Sequence, residues 1–270
     1  MLNFQTVMDC LKLHECELCE RSFVCEYDKY LHNSWVRKAR LDMIRKVILV
    51  NSVKGGLGTT AFATAFAADI SKKGIKTALL ETSFFSTLPD YLSNDASKGL
   101  EITREGILPP MSAFGFSYLS PALFMQKERR PVFWDAEAVL KFIRKMVVNT
   151  NWGDINILVM DVSSCQTGLL KEIKAFFGEK MSNAVVLVDF KDPSSTQAEA
   201  HIEHIKTVSK SVIVVKSPSH DIKVKDKLRS LPFVETLFSA GTKPSDVITS
   251  IMEPYAPVLE EVSKNCLSMF

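Results

Sequence analysis

Hydrophobic residues in this chain fall in short, nearly continuous runs rather than in strict alternation. Such runs occupy residues 47–50, 77–80, 155–160, 184–188 and 212–215. Continuous apolar runs of this length predict strands buried on both faces, as in a parallel sheet. Stretches of helical period lie between them. Over residues 60–71, Phe62, Phe66 and Ile70 recur every fourth position, and Gly74 supplies a C-terminal stop. Residues 138–147 and 195–208 have the same spacing. Strand–helix alternation on this scale predicts a doubly wound, mainly parallel α/β domain with right-handed crossovers. Residues 82–133, with prolines at 89, 109, 110, 121 and 131, are the least regular part. They are expected to hold surface elements and one further strand near residues 114–119. Residues 1–40 break the pattern, with apolar positions only in short bursts such as Val7, Met8, Leu11 and Leu13. The chain thus divides into a Cys-rich segment, 1–40, that needs an external staple, and a regular domain, 41–270.

Composition narrows the function classes. Of 270 residues, 46% are hydrophobic and 24% charged, an ordinary globular profile that excludes a disordered chain. The net charge of +2 supplies no field for a nucleic-acid backbone, so no nucleic acid is expected as a primary partner. No run of 18 apolar residues is present, so no membrane span is expected. Asp9, His14 and Glu15 interrupt the first residues without a basic n-region, so no secretory signal is read and a cytoplasmic location is expected. Two residue types are concentrated. Three of the 11 glycines lie within residues 55–58, and four of the six cysteines lie within residues 10–25.

The glycine cluster, Lys54-Gly55-Gly56-Leu57-Gly58-Thr59-Thr60, directly follows the first apolar run and opens the first predicted helix. That is the context of a phosphate-binding loop, in which glycines let backbone N–H groups and a helix N-terminus approach a polyphosphate. A tight turn with no ligand has the same local pattern. The stretch resembles the deviant Walker A loop, K-G-G-x-G-K-[ST], of the MinD/ParA superclass of P-loop ATPases. The resemblance implies that Lys54 is the signature lysine reaching across a dimer to the partner's nucleotide, and that Thr60 ligates magnesium. The usual second lysine is replaced by Thr59. After the second strand the superclass's iron–sulfur carriers have L-L-D-A-D, whereas this chain has Leu79-Leu80-Glu81-Thr82-Ser83, with Ser83 in place of the acid near the attacking water. Asp161, ending the third run, matches the Walker B-type acid. It could hold magnesium through water or act as a helix N-cap. A segment from Trp134 through Phe142-Ile143-Arg144 to Asn151-Trp152-Gly153-Asp154 and Asp161 is similar to the Mrp/ApbC/Nbp-type iron–sulfur carriers, a likeness that spans roughly residues 44–265. The expectation is a degenerate member: a P-loop NTPase-like fold with ATP or ADP and magnesium held weakly or not at all.

The second cluster, Cys10-x5-Cys16-x2-Cys19-x5-Cys25, can wrap one metal centre. Thiolate-only ligation suits a [4Fe–4S] cluster or tetrahedral zinc, and the spacing leaves both open. The resemblance favours iron–sulfur, because eukaryotic cytosolic carriers end an N-terminal segment with C-x2-C-x5-C, the spacing of Cys16, Cys19 and Cys25. His14 and His32 are substitute ligands or solvated loop residues. The C-x-x-C with which such carriers bridge a labile cluster across a dimer has no counterpart over residues 216–223, and Cys165 and Cys266 stand isolated. His201 and His204, three apart on a predicted helix, lack a third ligand and are expected at the surface. The serines lack a nucleophile-elbow pattern, which argues against a hydrolase triad. Together these features imply an iron–sulfur partner subunit, homodimeric or paired with a related ATPase, that serves a client or redox protein. An ATPase coupled to cluster transfer and a zinc-stapled interaction protein are the alternatives.

Overall fold

A computed structural model describes residues 41–83, 88–92, 100–103, 106–124, 142–143, 146–162, 167–189, 191–217 and 244–267. The cysteines at 10, 16, 19 and 25, and with them the proposed 1–40 segment, lie outside these residues. So do Trp134, the serines at 163 and 164, Cys165 and residues 218–243.

Six strands form one sheet: β1 (Ile44–Ser52), β2 (Thr77–Glu81), β5 (Ser117–Leu119), β6 (Ile155–Asp161), β7 (Met181–Asp189) and β8 (Ser211–Ser217). Their order is β5-β2-β6-β1-β7-β8, and every pairing is parallel. The expected doubly wound α/β fold is present, and each predicted run lies within a strand. The reason is visible in how the sheet splits its side chains. Ile48 and Val50 of β1, Ile157 and Val159 of β6, and Val185 and Leu187 of β7 enter one core. Their neighbours Val47, Leu49, Leu158, Met160, Ala184 and Val186 enter the other. A strand with an apolar layer on each face needs an unbroken apolar run.

The first core is covered by α1 (Thr59–Lys72) and by α5 (Pro244–Leu267). The second is covered by α3 (Thr167–Phe177) and α4 (Thr196–Val208). Helix α1 ends as its sequence predicts, with Gly74 at φ +81° and its N–H on the Ser71 carbonyl. Helix α4 is capped by Ser195, whose Oγ accepts from the Ala198 N–H. Of the predicted helix over 138–147, residues 142–143 and 146–147 are described and are helical.

The irregular stretch holds the one further strand expected near residues 114–119, the buried β5. It also contributes the short helix α2 (Leu88–Leu92) and an antiparallel pair, β3 (Glu101–Thr103) and β4 (Gly106–Leu108). Trp152 is buried in the second core and donates its indole N–H to the Val147 carbonyl. Because the six strands are parallel, Ser52, Glu81, Asp161, Asp189 and Ser217 all finish at one end of the sheet. That carboxyl edge, where β1 lies between β6 and β7, is where open α/β sheets place their ligands.

Candidate phosphate-loop site

The loop between β1 and α1 is held from several sides. Val53 N–H donates to the Leu187 carbonyl at 3.1 Å, and Ser217 Oγ donates to the Leu57 carbonyl at 2.8 Å. Leu57 is buried beneath the loop, while Lys54, Gly55, Gly56 and Gly58 face solvent. Gly56 and Gly58 have φ of +80° and +77°, the left-handed region that a Cβ disfavours. Gly58 is also the N-cap of α1, and no side chain caps that end. The first N–H groups of the helix therefore point into the loop without a capping side chain, the geometry of an anion site.

The sequence-predicted residues converge here. Thr60 Oγ1 donates to Asp161 Oδ2 at 2.5 Å, so the hydroxyl and the carboxylate expected to share a magnesium ion are already adjacent. Asp161 is almost fully buried, and burial pushes its carboxyl up to about 6 although the Thr60 hydrogen bond opposes the rise. Hard oxygen donors such as these suit magnesium. Glu81 lies beside Asp161 in register on β2, buried, and accepts a hydrogen bond from Ser120 Oγ at 2.7 Å. Ser83 lies two residues beyond Glu81, past the end of β2 and half-buried.

Thr59, which stands where the resemblance calls for a lysine, turns inward. Its hydroxyl donates to Ser52 Oγ at 2.8 Å, and Ser52 Oγ donates to the Lys54 carbonyl at 2.9 Å. Position 59 thus carries a short hydroxyl staple within the loop. Lys54 is the one cationic side chain in residues 51–60. Its ammonium forms an ion pair with Asp189 Oδ2, while Asp189 Oδ1 accepts the Lys191 N–H at 3.0 Å.

Sequence reading missed three contributors. Asp189 ends β7, far from the loop in the chain, and no local motif marks it. Tyr255 of α5 is buried with its hydroxyl over Gly58, and burial pushes its pKa up to about 12. His201 was expected at the surface but is half-buried. Its Nε2 donates to Asn51 Oδ1, and Asn51 Nδ2 donates to the Val162 carbonyl at 2.6 Å, tying α4 to the ends of β1 and β6. His204 is also half-buried, and its Nε2 is enclosed. The surface placement of both histidines is therefore corrected, because α4 lays this turn against the sheet. Among the described residues no group of three or more His, Cys, Asp or Glu could hold a metal ion. Cys266 is buried, with its thiol pushed up to about 12 by burial, which makes it a packing residue. No helix among the described residues is long and apolar enough to cross a membrane.

Comparison with known proteins places the chain in a family. The family model described as the NUBPL iron-transfer P-loop NTPase, of ParA type, matches residues 43–217. The iron–sulfur cluster carrier protein of Aquifex aeolicus is 27% identical over 121 residues, 44% of this chain and 33% of that protein. The corresponding carrier of Methanococcus maripaludis is 25% identical over 150 residues, 54% of this chain and 51% of that one. The iron–sulfur cluster transfer protein NUBPL of Mus musculus is 29% identical over 127 residues, 45% of this chain and 38% of that one. The chain therefore spans about a third to a half of the length of these relatives. Among solved structures, the nucleotide-binding protein of Archaeoglobus fulgidus in complex with ADP superposes with a TM-score of 0.54 at 20% identity, covering 67% of this chain and 70% of that one. That likeness establishes the fold.

Proposed function

The chain belongs to the NUBPL iron-transfer P-loop NTPase family, and we propose that within it the protein is an iron–sulfur cluster-binding assembly factor whose ATPase fittings are reduced. Relatives named as iron–sulfur cluster carriers support the assembly role. The observation that carries the reduced-ATPase reading is the Thr59–Ser52–Lys54 staple, which takes the place of a lysine on the phosphates. Thr60 and Asp161 retain the oxygen pair for magnesium, so nucleotide is bound weakly at the loop and turned over slowly or not at all.

In this reading the segment 1–40 is a separate unit that carries one [4Fe–4S] cluster on Cys10, Cys16, Cys19 and Cys25. Four thiolates are the donor set such a cluster takes. Cys266, sealed in the first core, is unsuited to the task. The protein works as a homodimer or beside an intact ATPase relative, delivers to an iron–sulfur client or redox protein, and resides in a reducing compartment such as the cytoplasm.

Anaerobic purification followed by iron, sulfide and zinc assays tests the cluster. About four irons and four sulfides per chain are expected, and a mole of zinc without iron selects the zinc-stapled interaction protein instead. A magnesium-dependent ATPase assay on the same sample is expected to show no turnover above background. Turnover abolished by Lys54→Ala would select the working ATPase.

A further inference from the structure

We infer that Asp189 is a latch on the nucleotide site, a positioning residue that holds Lys54 away from phosphate until nucleotide or a partner's nucleotide draws it off. The inference rests on the proposed binding of nucleotide at the loop and adds its regulation.

Three observations carry it. First, Lys54 is the loop's one cation, and its ammonium is engaged by a carboxylate of the same chain. While that pair holds, residues 51–60 offer an anion their backbone N–H groups and the Thr59 and Thr60 hydroxyls, with Asp161 beside them. Second, Asp189 is fixed. Its side chain is 12% exposed, it ends a strand in register with Ser217 of β8, and Oδ1 is engaged by the Lys191 N–H. Asp189 therefore does not follow the lysine out; the lysine leaves it. Third, the backbone around Lys54 is pinned by the Val53 N–H on Leu187 and by Ser52 Oγ on the Lys54 carbonyl. Release is consequently a swing of one long side chain that is 50% exposed, with no refolding of the loop. Because Ser52 also accepts from Thr59, the staple that replaces the missing lysine is the same contact that keeps this swing local.

Energetically the latch is modest and suited to switching. A half-exposed ammonium on a mostly buried carboxylate is stronger than a free surface pair but weaker than the several charge-assisted bonds that a polyphosphate offers. Nucleotide binding and the ion pair compete for one ammonium, so weakening either strengthens the other.

The test uses the full chain in four forms: wild type, Asp189→Asn, Lys54→Ala and the double variant. Asparagine keeps the acceptor for the Lys191 N–H, and thermal melts verify that each form folds. Calorimetric titration with MgADP and MgATP is expected to show binding about five- to tenfold tighter in Asp189→Asn than in wild type. In the Lys54→Ala background Asp189→Asn should have no effect, because no ammonium remains to release. Equal affinities in wild type and Asp189→Asn would overturn the latch while leaving the nucleotide site intact. An equal gain in both backgrounds would also overturn it, showing that Asp189 acts only by repelling phosphate. Binding to none of the four forms would overturn the nucleotide site itself, and the latch with it. Lysine-acylation footprinting without nucleotide reads the pair independently. Lys54 should label faster in Asp189→Asn, and identical labelling would overturn the latch whatever the titrations show.

Discussion

At position 59 a threonine hydroxyl donates to Ser52 Oγ, so the loop is tied from within and this position offers no cation. Thr59→Lys is expected to tighten MgATP binding about tenfold or more, since charge-assisted phosphate contacts are the strong ones, as measured by calorimetric titration. The same substitution removes the staple and should cost about 1 kcal/mol of stability in the ligand-free protein. His201 offers a pH signature. Burial, with His204 close by, lowers its pKa below the ordinary histidine value. The unfolded chain therefore takes up the proton near pH 6.5 while the folded chain resists it, and the contribution of His201 to folding stability falls as pH drops below that value, against an opposite contribution from the raised Asp161 carboxyl. Denaturant melts at pH 7.5 and 5.5 should therefore show wild type losing more stability on acidification than His201→Gln. Neither interaction was legible in the sequence. Thr59 was visible as a departure, yet its partner is seven residues upstream and carries no motif. His201 reads as a surface residue until α4 is docked on β1, whose Asn51 lies 150 residues away.

At the scale of elements, the strands were the most legible part, because burial on both faces leaves no polar positions to obscure a run such as residues 184–188. Helix α5 was the least legible. Pro254 and Pro257 lie inside its 24 residues, and prolines in a helix interior ordinarily end it. Packing overrides that preference, since Tyr255, Val258, Leu259, Val262 and Cys266 form one stripe buried against the first core. The hairpin of β3 and β4 was missed because three-residue strands leave no measurable period. The contact between α5 and the loop also makes a prediction. A methyl group at position 58 would meet nothing nearer than the Tyr255 hydroxyl at 3.9 Å, but the backbone there has φ +77°. Gly58→Ala is thus expected to destabilise the protein by about 1–2 kcal/mol through backbone strain rather than collision. A thermal melt measures that loss, and the double variant with Tyr255→Phe should not recover it.

For the whole molecule, both apolar cores are assembled among the described residues from side chains between Leu41 and Leu267. The sheet is therefore expected to stand without metal on the cysteines at 10–25. Stripping metal with a chelator under anaerobic conditions should abolish any cluster absorbance while moving the cooperative thermal melt by less than about 2 °C, or under about 1 kcal/mol for a domain of this size. A larger shift would mean that the segment 1–40 is part of the core. The sheet order has a further consequence in time. β1, made first, lies between β6 and β7, and β6 is about 100 residues downstream. At roughly 5–20 residues per second, a growing chain on a ribosome exposes β1 for about 5–20 s before its first central partner has been made. The four N-terminal thiols emerge earlier still. The strand order therefore sets a sequence in time: residues 10–25 emerge before β1 has a central partner, and the sheet end that carries the phosphate loop is completed last.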